Sequence, residues 1–222
     1  MCGRFTSTVD PQLLAERFGI ALPEGIEPRF NIAPTQRVLA VVDDHGSRAG
    51  RLLRWGLVPH WAKDPKVGFK MINARAETVA AKPAYRALLT KHRCLILADG
   101  FYEWRLDPDG VKRPVRFTLA SGEPFAFAGL HAFWRDAESD EVLESCTIIT
   151  TTANGLVAPV HDRMPVILSR LDEEAWLDPS LDRELAVQLL RPLAVDPMCA
   201  RDASTLVNSA RNDAPELLDP LR

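Results

Sequence analysis

The 222-residue chain has an ordinary globular composition, with 46% hydrophobic residues, 26% charged residues and an isoelectric point near 6.0. A chain of this length can bury a substantial core, so we expect one domain over residues 1–222. No run is apolar enough to cross a bilayer, and the N-terminus lacks the apolar stretch of a signal peptide. These features favour a cytoplasmic protein and argue against a membrane partner.

The net charge of −3 hides an asymmetry along the chain. Residues 1–120 contain 19 Lys and Arg against 12 Asp and Glu, whereas residues 121–222 contain 8 against 18. A basic front half with an acidic back half is typical of a protein that has one anion-binding face.

Metal binding is disfavoured by the cysteine pattern. The four cysteines are widely scattered, and the chain has no C-x-x-C and no H-E-x-x-H motif,. We therefore predict no metal site and no cofactor, and free thiols in a reducing compartment. Cys94 and Cys146 lie in apolar, strand-like runs, which indicates that they are core residues.

Local signals in the first half of the chain predict one helix and one hairpin. Asp10 as N-cap, Pro11 at the first helical position and Gly19 as the stop define the helix. The three prolines within residues 23–36 indicate an irregular, packed loop. Residues 37–43 and 48–55 flank a turn and are predicted to form a β-hairpin.

The second half is also predicted to be rich in strands. We expect a short helix over 83–90, a strand over 94–98, and a hairpin that joins 115–119 to 125–130. The longest strand should cover 142–151, a short one 166–168, and two short helices should lie within 171–191. Hairpins outnumber βαβ units, so the pattern predicts an α+β fold with a strand-rich, antiparallel sheet.

Cys2 has a chemistry that internal cysteines lack. If Met1 is removed, Cys2 carries a free α-amine and a thiol on adjacent carbons. Their reference pKa values are about 8 and 8.5, so neutral amine and thiolate coexist near neutrality. The pair can act as a nucleophile with its own base, or condense with an aldehyde to give an imine and then a thiazolidine ring. A cysteine that is merely tolerated at position 2 is the alternative.

Three polar stretches stand beside apolar strands, where a core would not place them without a reason. In 73–78, Asn73 and Arg75 offer an amide and a guanidinium to an oxygen-rich ligand, although Asn73 could instead cap a helix. In 99–104, Glu103 stands between aromatic residues, where poor solvation would raise its pKa, unless the segment is a solvated turn. In 160–165, His161 is the best candidate among the five histidines for a general acid or base,.

Seven stretches in a fixed order resemble one family. The residues are Met-Cys-Gly-Arg-Phe at the start, RFNIAPTQ at 29–36, WGLVP at 55–59, NARAET at 73–78, GFYEW at 100–104, HDRMP at 161–165 and NSARNDAPE at 208–216. Each is weak alone, but the ordered set is similar to the SOS response-associated peptidase (SRAP) family from residue 2 to about residue 216. The resemblance implies a single SRAP domain, with antiparallel hairpins curled into a barrel-like sheet and a few short helices.

The resemblance also implies covalent capture of abasic sites in single-stranded DNA. Cys2 would supply amine and thiol to the sugar aldehyde, while Asn73, Glu103 and His161 would hold the sugar and move protons. The resemblance also implies five DNA-binding residues. Arg4 and Arg75 would bind phosphates, Trp61 and Trp104 would stack on the bases or line the DNA path, and Pro34 would act as a wedge. A monomer that removes its own Met1 and associates with DNA in the cytoplasm is the expected form.

Two other functions remain open from the residues themselves. The first is an N-terminal-nucleophile hydrolase that acts on peptides or amides, with Cys2 as nucleophile and His161 or Glu103 as base. The second is a non-catalytic single-stranded DNA-binding protein, in which aromatic and arginine side chains matter and Cys2 does not.

Overall fold

The computed structural model describes residues 2–219. Met1, and with it the prediction that Met1 is removed, lies outside the described residues. The strands are β1 Phe5–Ser7, β2 Arg29–Ile32, β3 Arg37–Asp44, β4 Ser47–Trp55, β5 Asn73–Arg75, β6 Arg93–Ala98, β7 Gly100–Leu106, β8 Lys112–Leu119, β9 Phe125–Arg135, β10 Val142–Thr152, β11 Arg163–Pro165, β12 Ile167–Leu168 and β13 Met198–Asp202.

The helices are short and lie between strands. They are α1 Pro11–Phe18, α2 Ala76–Val79, α3 Pro83–Arg86, α4 Leu88–Lys91, α5 Arg170–Leu177 and α6 Arg183–Gln188. Within residues 2–219, no helix has the length and apolar character needed to cross a membrane. The predicted start and stop of α1 are confirmed, because the Asp10 side chain accepts from the Gln12 amide and Gly19 adopts a left-handed conformation.

Five strands close into a barrel. β3 pairs with β4 and β6, β6 pairs with β9, and β9 pairs with β10, all antiparallel. β10 completes the ring by pairing in parallel with β4. Because β10 extends beyond this contact, its far end also pairs with β5 in parallel and with β11 antiparallel. The predicted strand-rich α+β barrel is therefore confirmed, with two parallel pairings added.

A second sheet of five strands packs beside the barrel in the order β13-β8-β7-β1-β2. Alternate side chains of the barrel strands enter two different hydrophobic clusters, as expected from the period of two along a strand. In β6, Leu95 and Leu97 pack with the helices, whereas Cys94 and Ile96 pack with the second sheet. The cluster on the side of the second sheet also contains Cys2.

Two sequence-based predictions are wrong: one about which strands pair, and one about a segment that was expected to be a loop. The strands at 115–119 and 125–130 do not form a hairpin, because β8 pairs with β7 and β13 in one sheet while β9 pairs with β6, β10 and β12 in the other. The loop predicted over 23–36 contains β2, which pairs with β1. Both errors concern partners that are distant in sequence.

Candidate functional site

Cys2 lies at the junction of the barrel and the second sheet, and its side chain is fully buried. The thiol contacts the Arg4 carbonyl at 3.9 Å. Burial raises the pKa of the thiol well above its usual range, and the negative charge of Glu103 raises it further. The thiol is therefore protonated at neutral pH in this arrangement, and its use as a nucleophile requires a proton acceptor.

Asn73 contacts Cys2 directly. Its side-chain amide donates a 2.8 Å hydrogen bond to the Cys2 carbonyl. The position of Asn73 is set by β5, where it pairs with Ile148, and by the preceding carbonyl of Ile72, which accepts from the Trp55 indole at 2.9 Å. The Asn73 Oδ1 atom is buried and accepts no hydrogen bond from residues 2–219, so it is available to a ligand donor,.

Glu103 is on β7, opposite Val115, and only 3% of its surface is exposed. Burial raises the pKa of its carboxyl, and the nearby His161 opposes part of that rise. A carboxyl whose pKa moves towards neutrality is suited to both accepting and donating a proton. The alternative of a solvated turn is excluded for this segment, since residues 100–106 form a strand.

His161 lies just before β11, with its side chain partly exposed. Its Nδ1 atom accepts a 2.9 Å hydrogen bond from the Arg163 amide, so a neutral ring carries its proton on Nε2,. The Asp162 carboxylate is also 2.9 Å from Nδ1, but a nitrogen that accepts the amide proton has none to donate to it. The ring therefore presents an N–H donor on its other edge.

An ion pair joins the His161 loop to the helix that follows Asn73. Arg163 donates two hydrogen bonds to Glu77, at 2.7 and 2.9 Å, and a third to the Thr150 carbonyl at 2.7 Å. The hydrogen bonds from Arg163 lower the pKa of the Glu77 carboxyl. Sequence reasoning did not assign a role to Arg163 or Glu77, although both lie inside motifs it had singled out.

Arg4, just before β1, lies beside Trp104 on β7 of the second sheet. The Arg4 guanidinium carbon is 5.9 Å from the centroid of the Trp104 ring. Arg4 Nη1 donates to Asn31 Oδ1 at 2.9 Å and to the Val207 carbonyl at 2.8 Å, and the Trp104 indole donates to Asn208 Oδ1 at 2.7 Å. Burial lowers the pKa of Arg4. This arrangement presents a cation beside an aromatic face.

The other predicted DNA contacts are at or near the surface. Arg75 is exposed at the end of β5, two residues from Asn73. Trp61 is 58% exposed in the loop after β4. Pro34 is half-buried and precedes Thr35, which has a φ of 75° and donates to the Trp55 carbonyl at 2.7 Å.

The loop that carries Trp61 has a rigid base. Gly56 has a φ of 122°, and a Cβ atom there would lie 2.7 Å from the Gly68 carbonyl oxygen, so only glycine permits this close crossing,. The Ala62 carbonyl accepts from the Trp134 indole at 2.7 Å. The Trp61 indole is therefore exposed on a loop whose backbone is held at Gly56 and at Ala62.

The structure brings some of the predicted residues together more closely than others. Asn73 contacts Cys2, Glu103 acts electrostatically on both Cys2 and His161, and Arg4 stands over Trp104. Among residues 2–219, no group of three or more His, Cys, Asp or Glu side chains could hold a metal ion. The candidate centre offers a thiol, an amide, a carboxyl and an imidazole.

A segment near the C-terminus contributes to the site and was recognised only as a motif. Residues 205–219, here called the C-terminal strap, contain two 3-10 turns, Thr205–Asn208 and Pro215–Leu218. Asp213 in the strap accepts from the Phe30 and Asn31 amides and pairs with Arg29. Nothing in the sequence pattern showed that these polar residues fold back onto β2.

The barrel with its second sheet, and the polar centre around a near-terminal cysteine, define the class of protein. The SOS response associated peptidase (SRAP) family matches residues 1–210. The chain belongs to the SRAP family.

Similar proteins share most of the chain. It is 48% identical to the abasic site processing protein YoqW of Bacillus subtilis over 224 residues, which cover 99% of both chains. It is 38% identical to the abasic site processing protein HMCES of Gallus gallus over 202 residues, which cover 80% of this chain and 59% of that protein. A crystal structure of a Bacteroides thetaiotaomicron protein superposes over 100% of both chains, with a TM-score of 0.91 and 25% identity.

Proposed function

We propose that this protein acts on abasic sites in single-stranded DNA and captures them covalently through Cys2. After loss of Met1, the Cys2 amine and thiol would form a thiazolidine with the C1′ aldehyde of the ring-opened sugar. The names of the YoqW and HMCES relatives, abasic site processing proteins, support the substrate class. The observation that carries the proposal is the Asn73–Cys2 hydrogen bond, because it joins the N-terminal residue to a polar centre 71 positions away.

The first step joins the amine to the aldehyde. The neutral Cys2 amine attacks C1′ to give a carbinolamine, and loss of one water gives the imine. The leaving hydroxyl needs a proton, which the imidazolium form of His161 or a protonated Glu103 can supply. Asn73 has an unused buried acceptor, its Oδ1 atom, that can take a hydrogen bond from a sugar hydroxyl.

The second step closes the ring. The Cys2 sulfur adds to the imine carbon, and the thiol proton passes to a base while the imine nitrogen gains a proton. The raised pKa of the buried thiol makes that base necessary, and Glu103 is the carboxyl that acts electrostatically on it. The same carboxyl can return a proton to sulfur when the ring reopens, so Glu103 would serve both formation and reversal.

The DNA strand would be held by cations and aromatic faces around this centre. Arg4 and Arg75 would bind phosphates next to the lesion, while Trp61 and Trp104 would stack on or line the path. Pro34 would act as a wedge that prevents stacking across the lesion. Single-stranded DNA should bind better than duplex, because a wedge requires bases that are free to move apart.

Self-removal of Met1 is a further part of the proposal. The Cys2 sulfur can attack the Met1 carbonyl and transfer the Met1 acyl group from nitrogen to sulfur, which frees the Cys2 amine. Hydrolysis of the resulting thioester by one water then releases methionine. This route uses the same thiol as the capture reaction and needs no metal or cofactor.

A denaturing gel tests the proposal against its alternatives. The purified protein is incubated with a single-stranded oligonucleotide that contains one abasic site, and then heated in denaturant. We expect a heat-stable adduct with the abasic strand and none with an undamaged strand of the same sequence. Cleavage of a peptide panel without an adduct would favour a hydrolase, and native-only binding would favour a non-catalytic DNA-binding protein.

A further inference from the structure

Asn31 joins Arg4 to the C-terminal strap. Its side chain is fully buried, and its one carbonyl oxygen accepts from Arg4 Nη1 at 2.9 Å. Its amide nitrogen lies 3.2, 3.0 and 2.7 Å from three strap carbonyls, those of Val207, Ser209 and Asn212. The Val207 carbonyl also accepts from Arg4 Nη1, so the three groups form one compact network.

Both hydrogen-bond acceptors of Arg4 in this network are neutral. The guanidinium is bonded to an amide oxygen and a backbone carbonyl, and no carboxylate of residues 2–219 lies within ion-pair distance of it. Its Nε atom is buried and has no hydrogen-bond partner among the described residues. A half-buried cation held in this way is oriented without being neutralised, so its charge remains available to an anion.

The residue type at position 31 therefore matters beyond packing. Aspartate has the same shape as asparagine, but a carboxylate there would pair with Arg4 and cancel its charge. It would also lose the amide donors that hold the strap carbonyls. The strap in turn fixes Trp104 through the Asn208 side chain, so loosening it would release the aromatic face beside Arg4.

We propose that Asn31 is a positioning residue, which holds Arg4 as an uncompensated cation for a DNA phosphate through a neutral acceptor anchored on the C-terminal strap. This inference rests on the proposed function, because it assigns to Arg4 the phosphate contact described above. It adds that the strap is part of the binding apparatus and that an amide, not a carboxylate, is required at position 31.

The test is the salt dependence of binding to undamaged single-stranded DNA. In Asn31→Asp, the slope of log K against log salt should become shallower by about 0.7, the value for one phosphate contact on a single strand. Affinity at low salt should fall about tenfold, since a hydrogen bond to a charged group is lost. Arg4→Gln should give the same two changes, and in the Arg4→Gln background Asn31→Asp should cause no further change of slope.

A matched control separates this effect from general changes of charge or strap stability. Asn212 is in the strap, next to the Asn31 network; its side chain donates to the Leu206 carbonyl at 2.8 Å and makes no hydrogen bond to Arg4. Asn212→Asp adds the same charge to the strap and removes one of its hydrogen bonds, but places no carboxylate on Arg4, so it should keep the wild-type slope. An unchanged slope in folded Asn31→Asp, or an equal loss of slope in Asn212→Asp, would overturn the inference.

A second variant keeps the inference testable if Asn31→Asp does not fold. Asn31→Ser retains a neutral oxygen, so it should weaken binding while leaving the salt slope intact. That loss should be smaller in the Arg4→Gln background, where only the effect through the strap and Trp104 remains; an equal loss with and without Arg4 would contradict the inference. Adduct formation with abasic DNA is scored separately, so absence of an adduct argues against the capture reaction and not against the role of Asn31.

Discussion

The side-chain amide of Asn73 donates a 2.8 Å hydrogen bond to the backbone carbonyl of Cys2. Asn73 is held by parallel pairing of β5 with the end of β10, so the barrel itself determines where the N-terminal residue lies. This contact fixes the backbone of Cys2, the proposed nucleophile, and leaves the second polar atom of the amide, Oδ1, without a hydrogen bond from the described residues.

Replacing Asn73 should therefore impair capture more than binding. In Asn73→Ala, both the hold on Cys2 and the ligand acceptor are lost, and we expect the adduct to form about 10- to 100-fold more slowly. Affinity for undamaged single-stranded DNA should stay within about twofold of wild type, since no phosphate contact is removed. Single-turnover kinetics with an abasic oligonucleotide gives the rate, and a wild-type rate would contradict the assigned role.

Glu103 should determine the pH dependence of capture. Burial raises the pKa of this carboxyl above its ordinary value of 4.5, so the rate of adduct formation should fall as the pH drops through the raised value and removes the base. In Glu103→Gln the rate at neutral pH should fall about 10²- to 10⁴-fold, and the part of the acid limb that this carboxyl causes should vanish, leaving only the part due to protonation of the Cys2 amine. Glu16→Gln, at an exposed position of α1, is the control and should keep the wild-type profile.

Arg75 should contribute one phosphate contact. Arg75→Ala is expected to weaken binding to undamaged single strands and to make the salt slope shallower by about 0.7. Arg183→Ala removes another exposed arginine, from α6, and should change neither quantity. Binding isotherms at four salt concentrations supply the comparison; equal slopes for Arg75→Ala and wild type would show that Arg75 faces away from the DNA.

His131 should make the fold sensitive to acid. Its ring is buried against His92 and Phe133, and burial, followed by the charges of His92 and Arg51, lowers its pKa from 6.5 to about 3. The unfolded chain binds this proton below pH 6.5 and the folded one does not, so stability present above that value is lost as the pH falls towards 3.

The corresponding variant is His131→Phe, which keeps an aromatic ring in the same packing. Its free energy of unfolding should decline less than that of wild type between pH 7 and pH 5, by up to about 2 kcal/mol. Urea denaturation at the two pH values measures this, and His45→Phe, at a fully exposed turn, is the control. Parallel pH curves for wild type and His131→Phe would show that another group dominates.

Elements that depend on local chemistry could be predicted from the sequence. The α1 helix follows from the Asp10 cap and the Gly19 stop, and the β3–β4 hairpin from two strand-like runs around a short turn. Pairing between distant strands could not be predicted in this way. The period of two that identifies β8 and β9 as strands says nothing about their partners, and they proved to lie in different sheets.

The residues of the candidate site also fall into those that have a local sequence signal and those that depend on contacts between distant parts of the chain. Residue chemistry alone singled out Cys2, Glu103 and His161, because a near-terminal thiol, a carboxylate between aromatic residues and a histidine in a polar stretch are locally visible. The burial of Glu103 depends on the packing of β7 within the second sheet, and the proposed role of Asn31 depends on the strap folding back onto β2, a contact across more than 170 residues. Such contacts have no local signature in the sequence.

The central claim is that one residue supplies both the amine and the thiol. Inserting one Gly between Met1 and Cys2, with Met1 then removed, keeps the thiol in the chain but moves the free amine to another residue. The Cys2→Ala variant keeps the amine and loses the thiol, so it should give an imine that borohydride traps but no heat-stable adduct without reductant.

The yield of heat-stable adduct from the Gly-insertion variant is therefore the most direct measurement. It is made on a denaturing gel with an abasic single-stranded oligonucleotide, after native binding to undamaged DNA has shown that the variant is folded. The thiazolidine account predicts normal binding and no heat-stable adduct. A wild-type yield of adduct would contradict it and would favour attack by the thiol alone.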